Sequence, residues 1–206
     1  QYYGIGLNLL YDTRTNINNP LKGTFIQFKN LFYQKWLGAD YQFTTISFDA
    51  RKYFNLYKDQ TFALRAQMAG TFSSSEIPFT GYQRLGGKKI LRGYYSGTYL
   101  DKHLMAFDVE YRFPLFSFFK GAIFADAGNV WNSKANPTFN GEDKFTSNFI
   151  NELGMGTGIG LHIDVQGFVI RFDLAAPFHD PSEDQSKRWD FKVDEPVLNF
   201  AIGYSF

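Results

Sequence analysis

Cysteine is absent from this chain of 206 residues, and histidine occurs only three times, as His103, His162 and His179. Without a thiolate, and with no two histidines at ligand spacing, the sequence predicts no metal site and no cofactor. It also has no run of about eighteen apolar residues, so a transmembrane helix is not expected. The formal net charge is only +1, which gives no reason to expect nucleic-acid binding.

Aromatic residues are abundant. The chain has 24 Phe and 13 Tyr, yet its mean hydropathy is only −0.29. This combination is typical of a lipid-facing β-barrel, because only alternate residues of each strand need to be apolar and aromatic girdles mark both membrane interfaces. The composition therefore favours an all-β protein of the outer membrane.

Alternation with a period of two residues recurs along the chain and predicts nine candidate strands. They span residues 5–11, 24–33, 41–54, 62–68, 107–113, 119–131, 155–163, 168–174 and 198–206. In strand 107–113 we expect one face to contact lipid and the other to face a lumen. The expected lipid-facing residues are Phe107, Val109, Tyr111 and Phe113, and the opposing residues are Asp108, Glu110 and Arg112.

The last candidate strand resembles a membrane β-strand that ends at an interface. Its apolar face is formed by Leu198, Phe200, Ile202, Tyr204 and the terminal Phe206, while Asn199 and Ser205 would face the lumen. We interpret Phe200, Ile202, Tyr204 and Phe206 as a C-terminal membrane signal.

The connections alternate in length, with short turns at 55–59 and 164–167 and long polar loops at 73–103, 132–149 and 176–194. Outer-membrane barrels show this asymmetry, with short periplasmic turns and longer external loops. We therefore predict one domain over residues 1–206, an antiparallel transmembrane β-barrel of about eight strands with a long loop folded inward. Because nine candidates are present and an uncovered strand edge is too costly in lipid, a homodimer or a strand from elsewhere is also expected.

Three motifs are more specific than the periodicity. Residues 11–16 read Tyr-Asp-Thr-Arg-Thr-Asn, with Asp12, Thr13, Arg14 and Asn16 as the characteristic positions, and are followed by Pro-Leu-Lys-Gly at 20–23. The second motif is Leu91-Arg92-Gly93-Tyr94, and the third is Phe124-x-Asp126-x-Gly128. In this order they resemble the bacterial surface antigen family, the BamA/TamA-type outer-membrane assembly barrels.

The resemblance implies that Arg92 lies at the tip of a loop folded into the lumen, where Asp126 and the aromatic Phe124 receive it. It also implies a role in the assembly or translocation of other proteins. Typical members carry periplasmic POTRA domains before a sixteen-strand barrel, and this chain corresponds to the second half of such a barrel. We interpret it as a short member without POTRA domains or as the C-terminal half of a longer one.

The chemistry of the loop motif can also be argued from the residues. An unpaired guanidinium in a narrow lumen is costly, so a bidentate carboxylate is the expected partner of Arg92. We expect Gly93 to permit the backbone turn that points Arg92 inward, and the glycines at 154, 156, 158 and 160 to leave room for the loop. Alternatively, Arg92 is a solvated loop residue and the glycines only let a small barrel bend.

Two classes of function are compatible with these features. One is a barrel that assists insertion of other barrels or lipid organisation; the other is a structural or interaction barrel, dimeric or lipid-binding, that moves nothing. Outer-membrane lipid, a second copy or other barrel proteins are the expected partners. Catalysis is not expected, because Ser96 and Ser117 lack a nucleophile-elbow context. The acidic residues between 180 and 194 suggest at most weak Ca²⁺ binding, and such residues are more often a solvated loop.

Overall fold

The computed structural model describes residues 1–73, 77–132, 149–165 and 168–203. Eleven strands are present in these ranges, together with three short 3₁₀ helices at Lys35–Leu37, Phe79–Gly81 and Phe149–Glu152. The strands are β1 (Gly4–Asp12), β2 (Gly23–Tyr33), β3 (Phe43–Asn55), β4 (Thr61–Phe72), β5 (Gln83–Leu85), β6 (Tyr99–Asp101), β7 (His103–Phe116), β8 (Phe119–Trp131), β9 (Gly154–Val165), β10 (Phe168–His179) and β11 (Val197–Ile202). In these ranges, no helix has the length and hydrophobicity needed to cross a membrane.

Nine of the strands form one antiparallel sheet in the order β1-β2-β3-β4-β7-β8-β9-β10-β11. The all-β antiparallel fold and all nine strands expected from the alternation are confirmed, so the sheet has one strand more than the even number we expected. Within the described ranges β1 and β11 are not hydrogen-bonded to each other. The described sheet is therefore open along these two edges.

Strand boundaries differ from the expectation mainly at the loop ends. Strand β10 continues to His179, so the last long connection begins at residue 180 and not at 176. Most of the expected loop 132–149 lies outside the described residues, as do Tyr204 and Phe206. Phe200 and Ile202 lie on the outer face of β11 and are exposed.

The two faces of the sheet differ in chemistry, as β7 shows. Val109 is 39% exposed on the outer face, whereas the next residue, Glu110, is 0% exposed on the inner face. The exposed outer residues of the strands are almost all aromatic or aliphatic, and charged side chains alternate with them on the inner face. This is the pattern of a sheet that has lipid outside and a polar interior.

The connection between β4 and β7 covers part of the inner face. Strands β5 and β6 pair with each other within it, and the segment between them packs a small apolar cluster against β7. Its buried members are Leu85, Leu91, Tyr94, Tyr99, Leu104 and Ala106. This cluster holds the expected inward-folded loop, and the loop tip then lies among the charged residues of the inner face.

Candidate functional site

The tip of the inward loop presents Arg92 to the sheet. Leu91, which is fully buried, has a φ of 58°, in the left-handed region that a leucine rarely adopts. This conformation turns the chain so that both the backbone and the side chain of Arg92 face strand β8. The strain at Leu91 is sustained because its side chain fills the apolar cluster described above.

Asp126 on β8 receives three hydrogen bonds from Arg92. The backbone N–H donates to Oδ2 at 2.9 Å, Nε donates to Oδ2 at 2.8 Å, and Nη2 donates to Oδ1 at 2.7 Å. The guanidinium also lies over the ring of Phe124, with 3.4 Å from Cζ to the ring centroid. A bidentate pair with an aromatic face beneath it positions the arginine side chain in distance and in orientation.

Two further carboxylates surround the same guanidinium. Nη1 of Arg92 donates to Glu110 Oε2 of β7 at 2.5 Å and lies 3.5 Å from Asp173 Oδ2 of β10. Arg112 Nε is 3.1 Å from Glu110 Oε1, and Arg171 Nε is 2.9 Å from Asp173 Oδ2. We call this set of three arginines and three carboxylates, Arg92, Arg112, Arg171, Glu110, Asp126 and Asp173, the arginine cluster.

The arginine cluster is balanced in charge and almost completely removed from solvent. Arg92 is 3% exposed, and the other five members are buried to a similar degree. Such a network is stable only when each charge has a partner, because an isolated buried ion costs several kcal/mol of desolvation. The arginine cluster therefore holds the loop in place, but the loss of any one member would leave a buried charge without its partner.

Gly93 belongs to the turn at the loop tip. The N–H of Tyr94 donates to the carbonyl of Leu91 at 3.1 Å and closes this turn around Arg92 and Gly93, while the positive φ is at Leu91 and not at Gly93. Gly93 also lies against β10, where a Cβ atom would be 2.9 Å from the carbonyl carbon of Ala176. Gly156 is its counterpart on β9, since a Cβ there would be 3.3 Å from the backbone of Gly93. The loop thus approaches two strands at a distance that excludes side chains.

The remaining loop residues connect the loop to the last two strands. Tyr94 Oη donates to the carbonyl of His179 at 2.6 Å, and Asn199 Nδ2 of β11 donates to the carbonyl of Arg92 at 2.8 Å. Gly128, the last position of the third motif, faces the loop too, since a Cβ there would be 3.0 Å from Leu85 Cδ1. The loop consequently contacts β7, β8, β9, β10 and β11.

The first motif forms the turn between β1 and β2, and Asn19 of this turn accepts a hydrogen bond from Nη1 of Arg112 in the arginine cluster at 3.1 Å. Arg14 makes a bidentate pair with Asp12, at 2.9 Å and 2.6 Å, and its guanidinium lies 4.4 Å from the ring centroid of Phe25. Thr13 pairs with Thr24 through the backbone, and Asn16 Oδ1 accepts hydrogen bonds from two following backbone amides. These contacts stabilise a turn of defined shape.

Sequence reasoning did not assign three residues that contact Arg92, namely Glu110, Asp173 and Asn199. The available signal was the alternation, which places each of them on the inner face of its strand. A search for inward carboxylates on every strand would have named Glu110 and Asp173 as candidates. Among the described residues, no group of three or more His, Asp or Glu side chains is arranged to hold a metal ion.

A second set of contacts ties the loop to the connection after β10. Tyr99 Oη donates to Asp180 Oδ1 at 2.7 Å, and Ser182 donates to the same oxygen through its amide at 3.0 Å and its hydroxyl at 2.5 Å. Burial by itself raises the pKa of Asp180, but the hydrogen bonds from Ser182 and Tyr99 outweigh it and the pKa lies below its ordinary value. Trp189 from the same connection packs on His179, with 4.1 Å between ring centroids.

We therefore expect acid to release the contact between Asp180 and the loop. Because the folded-state pKa is lowered, the stabilisation by Asp180 is fully present above its ordinary pKa of about 3.9 and is lost as the pH falls through the folded pKa. Trp189 fluorescence, recorded between about pH 6 and pH 2, should show a transition at the acidic end. Asp180→Asn should remove that transition, and an unchanged transition in this variant would contradict the assignment.

Comparison with known proteins identifies a matching family and solved structures of similar fold. A family model described as the Omp85 superfamily domain matches residues 2–206. Among solved structures, BamA from Haemophilus ducreyi lacking POTRA domains 1–3 matches with a TM-score of 0.73 and 16% identity, over 97% of this chain and 42% of that chain. CdiB from Acinetobacter baumannii matches with a TM-score of 0.59 and 16% identity, over 98% of this chain and 34% of that chain. No curated protein sequence gives a significant match.

Proposed function

Because this chain belongs to the Omp85 superfamily and is a bacterial outer-membrane β-barrel protein, we propose that it assists the insertion of other β-barrel proteins into the outer membrane. The superfamily is one of outer-membrane assembly and translocation factors, whose members are not enzymes. The chain spans less than half of the solved BamA and CdiB chains that it matches. The proposal further treats residues 1–206 as one barrel domain.

The observation that carries this proposal is the number of strands that meet at Arg92. Its side chain contacts carboxylates of β7, β8 and β10, and its backbone carbonyl accepts a hydrogen bond from β11. A single loop residue thus fixes the relative positions of four strands, including the strand at one edge of the described sheet. We propose that the loop keeps the part of the sheet formed by β7 to β11 in a fixed shape while a client strand pairs with an edge strand of the sheet.

The two edge strands of the described sheet, β1 and β11, have backbone groups that could pair with a client strand. An unpaired row of backbone N–H and C=O groups is too costly to face lipid, so β1 and β11 require partner strands in a membrane. We propose that a client strand supplies such pairing during insertion, by the same backbone hydrogen bonds that join the nine strands. In the resting protein, the partner is another segment or another chain.

A folding assay with reconstituted protein tests the proposal. Vesicles containing the protein are mixed with a urea-denatured small outer-membrane barrel, and folding is followed by its heat-modifiable migration on gels. We expect the client to fold faster than in vesicles that contain an equal mass of an unrelated, closed barrel. Arg92→Ala should slow client folding towards the rate of that control, because the loop would no longer hold strands β7 to β11 in position.

The second candidate is a structural or interaction barrel, and the dense packing of the inner face favours it. The loop fills the space in front of β7 to β10, and the arginine cluster is almost fully buried. A barrel of this kind would give the same client folding rate as the unrelated control barrel. A stable dimer seen by native mass spectrometry, together with that unchanged rate, would establish the interaction role and contradict the insertion role.

A further inference from the structure

One lysine breaks the apolar character of the outer face. Among the strands of the large sheet, as far as the structure describes them, Lys52 of β3 is the only Asp, Glu, Lys or Arg whose side chain faces outward. A cation on a lipid-facing surface is destabilising unless it reaches the interface or finds an anion. The position of Lys52 therefore requires an explanation.

Lys52 is close to the membrane interface at the end of the sheet with the short turns. It precedes the end of β3, Asn55, by three residues, and its ammonium group lies 5.7 Å from the ring centroid of Phe54. Its Nζ also donates to Thr24 Oγ1 of β2 at 2.8 Å. The side chain thus extends towards the end of the sheet with the short turns, and the ammonium group has two N–H donors besides the one that Thr24 accepts.

An apolar groove begins beside Lys52 and runs along the outer face. Ala50 of β3 and Ala66 of β4 are direct cross-strand partners, and their small side chains leave a depression between Ile26 of β2 and Phe107 of β7. The groove has a volume of about 350 Å³ and a lining that is almost entirely apolar. Because Phe107 lies nine residues before the end of β7 at the short turn, Phe116, the groove leads from the interface into the apolar band of the membrane.

We propose that this groove binds one anionic phospholipid of the periplasmic leaflet. The phosphate accepts hydrogen bonds from Lys52 Nζ and Thr24 Oγ1, and one acyl chain lies over Ala50 and Ala66 between Ile26 and Phe107. The cation of Lys52 accounts for the phosphate, and the apolar lining accounts for the chain. Charge complementarity favours an anionic headgroup, because a zwitterionic headgroup would bring an ammonium group of its own beside Lys52. The site extends the function beyond protein partners to a specific lipid.

Native mass spectrometry of the protein in mild detergent, titrated with palmitoyl-oleoyl phosphatidylglycerol, tests this site. Lys52→Gln keeps a polar side chain, one atom shorter than lysine, but removes its charge and should weaken binding about fivefold, as expected for one lysine near an anionic lipid surface. Lys58→Gln, which changes an exposed lysine in the neighbouring turn, is the matched control and should leave binding unchanged.

A second pair of variants tests the acyl-chain groove. Ala50→Phe fills the groove and should also weaken binding about fivefold or more, because the chain loses several buried methylene groups. Ile46→Phe adds bulk to the outer face of the same strand outside the groove and should have no effect. Equal binding by wild type and Lys52→Gln, an equal loss in Lys58→Gln, or unchanged binding by Ala50→Phe would each overturn the proposal.

Discussion

Arg92→Ala is expected to lower the free energy of unfolding by about 3–5 kcal/mol. The substitution removes the partner of Asp126 and one of the two arginines beside Glu110, and both carboxylates remain buried. Most of the loss is the desolvation of charges that no longer have a counterion. Urea unfolding of the protein in detergent micelles, followed by tryptophan fluorescence, measures it.

A double-mutant cycle separates this pairing from general loop damage. Arg92→Ala combined with Asp126→Ala should recover part of the loss, because the uncompensated carboxylate is no longer present. Lys89→Ala, which changes an exposed lysine three residues before Arg92 in the same loop, should change stability by less than about 0.5 kcal/mol. Strictly additive effects of the two alanine substitutions would mean that Arg92 and Asp126 do not stabilise each other.

Val109→Arg is expected to cost about 2–4 kcal/mol, because it places a guanidinium on the lipid-facing side at the middle of β7. Refolding yield and unfolding in lipid vesicles measure the effect. The obvious comparison, an arginine at the next position, is unsuitable because Glu110 is fully buried between Arg92 and Arg112. That change would add a cation to the arginine cluster.

A better control faces the interior at a less crowded position. Leu10 lies on the inner face of β1, directly opposite the neutral Gln27 of β2, and is 57% exposed. Leu10→Arg should change stability by less than about 0.5 kcal/mol. If both variants lost the same free energy, the assignment of the outer face to lipid would be wrong.

The sequence by itself determined where the strands lie and which face of each strand meets lipid. A period of two residues is a property of the extended backbone, so Phe107, Val109 and the charged residues between them reveal their faces without knowledge of any neighbour. The same local reasoning predicted nine strands. It did not predict how the edges of the sheet are satisfied, since that depends on pairing between segments far apart in sequence.

Only the tertiary structure decided which inward residues meet. The alternation is equivalent for four inward carboxylates, Asp108, Glu110, Asp126 and Asp173. In the structure Asp126 and Glu110 accept hydrogen bonds from Arg92, and Asp173 lies 3.5 Å from it. The choice depends on the register between strands and on the left-handed turn at Leu91, and neither has a local sequence signal. The groove beside Lys52 has the same origin, because Ala50 and Ala66 become neighbours only through the register of β3 with β4. Long-range register, which no single segment encodes, therefore builds both the arginine cluster and the lipid groove.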